Sequence, residues 1–128
     1  MSGNESVMDG EIDIGKHGEK LAADHLLKQG YVLLEKNWKC GREEIDIISR
    51  HGNFIVVVEV KTRTGTAPIE PSEVVPRDKQ KILVRTANAY MRFKKQSGEV
   101  RFDIITIQLN GNGHRLDHLT DAFFATMK

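Results

Sequence analysis

The stretch from Glu44 to Lys61, EIDIISRHGNFIVVVEVK, constrains the fold of this chain more than any other. Two β-rich runs, Ile45 to Ser49 and Phe54 to Val60, flank a polar turn at His51-Gly52-Asn53, the pattern of a β-hairpin. A two-residue turn at Gly52-Asn53 opposes His51 to Phe54, Arg50 to Ile55, Asp46 to Glu59 and Glu44 to Lys61. Directly opposed residues have Cβ atoms ~4.5–5.5 Å apart. The register therefore gathers three carboxylates and one ammonium on one patch. A three-residue turn would shift the pairing by one and split the set, unless a bulge restored it.

Such a patch asks for a cation. Two carboxylates about 5 Å apart repel by ~3 kcal/mol at an effective dielectric of about 20. Lys61 offsets part of that, and a hard divalent cation held by Asp46 and Glu59 offsets more. Oxygen-only donors suit Mg²⁺ or Mn²⁺. Lys61 then serves as a point charge for a phosphate oxygen or an attacking water. An acid, twelve intervening residues and then acid-x-Lys at the end of an apolar strand is the arrangement of a metal-dependent phosphodiesterase. A surface salt-bridge cluster accounts for the local pattern as well. The run Phe54 to Val60 is apolar apart from Glu59, which signals a central strand buried on both faces of a layered α/β domain. A charged Glu59 inside such a run must be paired or bound to a metal, which favours a site.

Around the hairpin the chain reads as alternating elements. Gly15 to Gln29 has the three- and four-residue spacing of an amphipathic helix, with Gly18, Leu21, Ala22, His25 and Leu26 on one face. Glu19 in its first turns either favours the helix dipole or is a further acid aimed at the site. Tyr31 to Trp38 is a first strand. Thr62 to Pro76 holds all three prolines and is expected to be a substrate-facing flap, with Arg63 at its base to pair with a phosphate. Arg77 to Gln96 is a second helix whose Arg77, Lys81, Arg85 and Arg92 form a basic face, either solvated or in contact with nucleic acid. Val100 to Leu109 is a strand, parallel to its partner across the helical connection. Asp103 within it is an edge or capping residue, or a support to the site. Arg115 to Thr120 reads as an edge strand and Asp121 to Met127 as a short closing helix.

Composition bounds the rest. A chain of 128 residues suits one domain, with residues 1–14 an acidic, disordered tail and 15–128 the folded body. The tail carries four of the 18 acids and no Lys or Arg, so a net charge of +1 conceals a body with 19 bases against 14 acids. That balance is compatible with nucleic acid. No apolar run approaches the ~20 residues of a membrane span, and no secretory signal is recognisable. Cys40 is the single cysteine, which excludes an intrachain disulfide and suggests a reducing cytoplasm. No phosphate-binding loop, dinucleotide fingerprint or nucleophilic serine motif points to a small-molecule cofactor.

Together these segments resemble the YraN-like proteins, a bacterial group of predicted endonucleases. That group is similar to archaeal Holliday junction resolvases of the restriction-endonuclease-like PD-(D/E)xK superfamily. The likeness runs from about Gly15 to Phe124. It includes G-x-x-G-E-K-L-A (Gly15 to Ala22), N-W-K-C (Asn37 to Cys40), E-I-D-I-I (Glu44 to Ile48), V-E-V-K-T-R (Val58 to Arg63), P-S-E-V-V (Pro71 to Val75), A-N-A-Y (Ala87 to Tyr90), R-F-D-I-I (Arg101 to Ile105) and D-A-F (Asp121 to Phe123). The resemblance implies an αβββαβ core with a central mixed sheet flanked by helices. It implies Asp46 and Glu59 as ligands of Mg²⁺ or Mn²⁺ and Lys61 as the catalytic lysine, with Glu19 as an extra acid. It also implies Lys79 as a DNA contact and, by analogy with the resolvases, a homodimer. This chain departs from the family in carrying Glu43 where Gly usually precedes E-I-D.

The expected activity is metal-dependent hydrolysis of DNA phosphodiester bonds, with branched DNA of repair or recombination as a substrate. Asp46, Glu59, Lys61, Glu19 and Glu44 would form the catalytic group, and Arg63, Lys79, Lys81 and Arg85 would contact the DNA. The alternative is a non-catalytic nucleic-acid-binding module on the same fold.

Overall fold

The computed structural model describes residues 10–123. In chain order they form α1 (Gly10–Lys28), β1 (Val32–Cys40), β2 (Glu43–His51), β3 (Phe54–Thr64), the single turn α2 (Pro71–Val74), α3 (Arg77–Phe93), β4 (Glu99–Asn110) and β5 (Gly113–Phe123). The strands make one sheet in the order β1-β2-β3-β4-β5. β3 and β4, joined through α2 and α3, run parallel, while the other three pairs are antiparallel. This is the mixed, helix-flanked α/β architecture that the alternating elements require.

The Gly52-Asn53 turn is the two-residue one. Gly52 takes a left-handed φ of 61°, at no side-chain cost. The ladder then follows the expected register from His51↔Phe54 to Ile47↔Val58.

β3 is buried on both faces, as its apolar run requires. Val56 and Val58 pack with Ala22, Ala23 and Leu26 of α1 and with Ile105 and Ile107 of β4. Ile55 and Val57 pack with Leu83, Ala87 and Tyr90 of α3 and with Phe102 and Ile104 of β4. Each large side chain so buried contributes ~1.5–3 kcal/mol. Strict alternation along β2 slips at Asp46: Ile45 joins the α3-side layer and Ile47 the α1-side layer.

Helix α1 seats closely on β3 because residue 18 has no side chain. A Cβ built on Gly18 would lie 1.7 Å from the Thr62 hydroxyl oxygen and 2.8 Å from Thr62 Cβ. Gly18→Ala is therefore expected to force α1 off β3 and to destabilise the protein by ~1–3 kcal/mol, the usual range for overpacking. Thermal unfolding measures this, and Thr62→Ala should recover part of the loss.

Several boundaries differ from expectation. Helix α1 starts at Gly10, inside the stretch expected to be a disordered tail; residues 1–9 lie outside the described residues. The proline-rich loop is shorter, because β3 continues to Thr64 and Pro71–Val74 turns helical. Helix α3 ends at Phe93, three residues early. The closing helix is not formed at 121–123, where β5 continues to Phe123, which stacks on Phe102. The remainder of that expected helix, 124–127, lies outside the described residues.

A buried polar lock ties β4, β5 and α1 together. The Asp103 side chain is fully buried and accepts two hydrogen bonds from Arg101, one from the Asp121 amide and one from His118. His118 in turn lies 3.0 Å from His25 Nε2 on α1. Arg101 also donates to the Tyr31 hydroxyl at 2.6 Å. Burial pushes the Asp103 carboxyl up, but the bonds from His118, Arg101 and the Asp121 amide outweigh it and hold the pKa below its ordinary value. The lock assigns Asp103 a structural support role, and it separates His118 from His114, which is exposed four residues away.

Candidate functional site

The site forms where the β2–β3 ladder stops. Beyond Ile47↔Val58 the two strands bond through side chains in place of backbone pairs. The Val60 amide donates to Asp46 Oδ2 at 2.8 Å, and the Asp46 amide donates to Glu59 Oε2 at 3.3 Å. Each carboxylate is thus held by the other strand's backbone. The expected meeting of Asp46 and Glu59 is realised, and the slip in β2 is what turns Asp46 toward β3.

Glu59 is 4% exposed, although it carries a carboxylate. Its remaining oxygen, Oε1, lies 3.2 Å from Lys79 Nζ, near the start of α3. The ammonium against Glu59 therefore comes from Lys79. Lys61, two residues further along β3, is exposed and makes no ion pair with a described residue. Its charge reaches Glu73, whose carboxyl is held below its ordinary value first by the Glu70 amide and then by Arg63.

The electrostatics are those of an anionic pair with too little positive charge to offset its burial. Burial pushes Asp46 up to about 6, with the charges of Glu19 and Glu44 adding to it and the Val60 amide and Lys79 opposing. Burial, then the Asp46 charge, pushes Glu59 up to about 7 despite Lys79. Glu19 and Glu44 thus lie within electrostatic range of Asp46 without touching it. Glu19 is held by Asn37, whose amide nitrogen lies 3.3 and 3.5 Å from its two oxygens. Asn37 takes a left-handed φ of 52°, a conformation asparagine tolerates better than most residues. Sequence reasoning gave Asn37 no role; its place in the N-W-K-C segment was the only signal. The expected Glu44–Lys61 pairing is not formed, because the β2–β3 register ends at Ile47↔Val58. Glu44 is exposed and stands opposite Lys39 of β1, while Glu43 stands opposite Cys40 at the tip of the β1–β2 hairpin.

The other expected contacts separate into two groups. Arg63 donates to Glu73 at 2.5 Å and to the Pro68 carbonyl at 3.4 Å, so it pins the flap to the end of β3. Lys81 and Arg85 are exposed on α3, one turn apart. They share an element with Lys79 but do not join the acidic pair.

The donor set fits a hard divalent cation. It consists of carboxylate oxygens only, from buried Glu59 and half-buried Asp46, short of positive charge, and a Lys ammonium already takes one of the oxygens. Among the described residues no three His, Cys, Asp or Glu side chains converge as a ready-made metal cage. Mg²⁺ is commonly held by one or two carboxylates, with water and substrate phosphate completing the shell, so two carboxylates suffice for it. Since the cation would compete with Lys79, Lys79→Met is expected to tighten divalent-cation binding a few-fold by titration calorimetry.

Among the described residues no helix is long and apolar enough to cross a membrane. Comparison with known proteins matches residues 18–107 to the model of the uncharacterised protein family UPF0102. That span runs from the close-packed Gly18 through the hairpin and α3 into β4. A UPF0102 protein of Flavobacterium johnsoniae is 42% identical over 116 residues, covering 88% of this chain and 94% of its own. One from Thermodesulfovibrio yellowstonii is 44% identical over 113 residues, covering 88% of this chain and 97% of its own. One from Bacteroides thetaiotaomicron is 41% identical over 112 residues. Matches of this extent, over all the elements that build the acidic pair, place the chain in the UPF0102 family.

Proposed function

We propose that this protein is a Mg²⁺- or Mn²⁺-dependent endonuclease that hydrolyses DNA phosphodiester bonds. The observation that carries the reading is the interlocked pair of buried Glu59 and half-buried Asp46 at the end of a central strand, with both pKa values raised. Burial of two like charges costs stability, and a structural role does not need it.

Asp46 and Glu59 would hold the cation, which when bound lowers the pKa of a water and neutralises charge on the phosphate. Lys61 is exposed on the same strand, where it can orient the attacking water and offset the negative charge that develops on the phosphoryl oxygens. Glu19, positioned by Asn37, adds negative potential that favours a cation at Asp46. Lys81 and Arg85 on the exposed side of α3 are available to the DNA backbone, where they would position without specifying sequence.

Incubation with linear, flapped and four-way DNA in Mg²⁺ or Mn²⁺ tests the proposal. Cleavage of at least one substrate, lost in EDTA and in Lys61→Ala, is the expected result. Absence of cleavage from every substrate in both metals would contradict it.

The Lys79–Glu59 pair favours a second reading, a nucleic-acid-binding module whose acids are neutralised internally. It predicts salt-sensitive binding that ignores Asp46 and Lys61 but weakens when Lys81 and Arg85 are neutralised together.

A further inference from the structure

A cavity of about 290 Å³ opens on the α3 side of the sheet, between the flap and strands β4 and β5. Its position follows from the register. Glu59 pairs with Ile104 and Lys61 with Thr106 across β3–β4; Ile104 and Thr106 in turn pair with Leu119 and Asp117 across β4–β5. Paired residues share a face, and Ile104, Thr106, Asp117 and Leu119 all line the cavity. The rows that begin at the acidic site therefore continue across its floor, each strand ~4.8 Å from the last. The cavity is the lateral extension of the site.

Its walls have two kinds of surface. Ile104, Leu119, Pro68 and Ile69 are apolar, and Leu119 is 43% exposed, unusual for so large an aliphatic residue on a strand. Thr106 and the Arg115–Asp117 pair, with Arg115 Nε 2.9 Å from Asp117 Oδ2, supply donors and acceptors. The roof is fastened: Gln108 donates to the Ala67 carbonyl, and Arg63 holds Pro68 and Glu73. A dry cavity of about 150 Å³ accommodates benzene, so this one has room for a purine ring system. Apolar walls combined with hydrogen-bonding groups are what pockets for extruded bases use.

We propose that this cavity receives one unpaired nucleobase of the DNA strand whose phosphate lies at Lys61. The proposal deepens the nuclease reading and rests on its nucleic-acid part. It makes DNA with an unpaired nucleotide, in a bulge, flap or branch, the preferred substrate over intact duplex. A base held in a paired stack cannot enter, whereas an unpaired one enters at little cost.

The test is fluorescence anisotropy of the full chain in EDTA, so that cleavage plays no part. Three probes are used: a paired 20-mer duplex, the same duplex with one bulged adenosine, and the bulge with that base removed. The bulge is expected to bind ~10-fold or more tightly than the paired duplex, with the gain lost for the abasic probe. Leu119→Trp, which fills the cavity from the edge strand, is expected to abolish the gain and leave the paired duplex unaffected. Equal binding of bulged and abasic probes would overturn the proposal while leaving the nuclease reading standing. Failure to bind any of the three would overturn the proposal, and the cleavage assay in Mg²⁺ or Mn²⁺ decides the nuclease reading separately. The abasic comparison uses wild-type protein only, so it decides the matter even if Leu119→Trp does not fold.

Discussion

Asp46→Asn is expected to lower the rate of DNA cleavage by at least ~10³-fold while leaving the protein folded and, at pH 8 without metal, more stable. The rate loss follows from the several kcal/mol of charge stabilisation that a cation provides, each ~1.4 kcal/mol being tenfold. Asparagine keeps an acceptor for the Val60 amide, so the local backbone bond survives. The stability gain follows from the sign of the pKa shifts. Asp46 at about 6 and Glu59 at about 7 retain protons in the folded state that the unfolded chain has already released. Stability of the metal-free protein therefore falls as pH rises from the ordinary carboxylate range through about 7. Removing one acid removes part of that loss. Cation binding has the opposite dependence: it must displace the retained protons, so it tightens between pH 6 and pH 8. Single-turnover cleavage and thermal unfolding across this range check both statements. An Asp46→Asn protein that cuts at the wild-type rate would sink the assignment of Asp46.

The second large effect concerns stability alone. Asp103→Ala is expected to cost about 3–5 kcal/mol, because it leaves the half-buried Arg101 and His118 without their shared, buried partner. The depressed Asp103 pKa contributes stability that is present above the unfolded value near 3.8 and is lost as pH falls through the folded value. His25 acts in the same direction at a higher pH. Burial, then the His118 charge, lowers its pKa below 6.5, so the folded state binds fewer protons and loses stability as pH falls through that range. Urea unfolding at pH 7 and at pH 4 measures the His25 contribution, unfolding carried on below pH 3.8 measures that of Asp103, and Asp103→Ala should lessen the acid sensitivity in the lower range. A variant within about 0.5 kcal/mol of wild type would show that Asp103 is not the centre of the lock.

What the chain disclosed by itself was local. Gly52-Asn53 sets a turn of two residues, and the register from His51↔Phe54 to Ile47↔Val58 follows by counting. The Asp46–Glu59 meeting beyond it is made through side chains at the slip in β2, which counting did not show. The unbroken apolar run of β3 signalled burial on both faces, which made Glu59 conspicuous. Contacts between distant segments were not legible. Lys79 lies 20 residues beyond Glu59, and nothing in its spacing shows that it, in place of Lys61, meets the carboxylate. His25 and His118 are 93 residues apart, so the lock through Asp103 required the fold to bring them together. At the C-terminal end the short run from Asp121 carried no periodicity to separate strand from helix. There β5 passes through a left-handed Asp121, φ 54°, whose amide is held by Asp103.

The central claim, that Asp46 and Glu59 are built to hold a divalent cation, is tested most directly by titration calorimetry. Mg²⁺ and Mn²⁺ are titrated into wild type and Asp46→Ala at pH 8, alone and with DNA. Binding to wild type with release of protons, absent from the variant, is the predicted result. No binding to wild type of either cation, with DNA present, or binding that the variant retains unchanged, would contradict it and leave the two acids as a pair neutralised by Lys79.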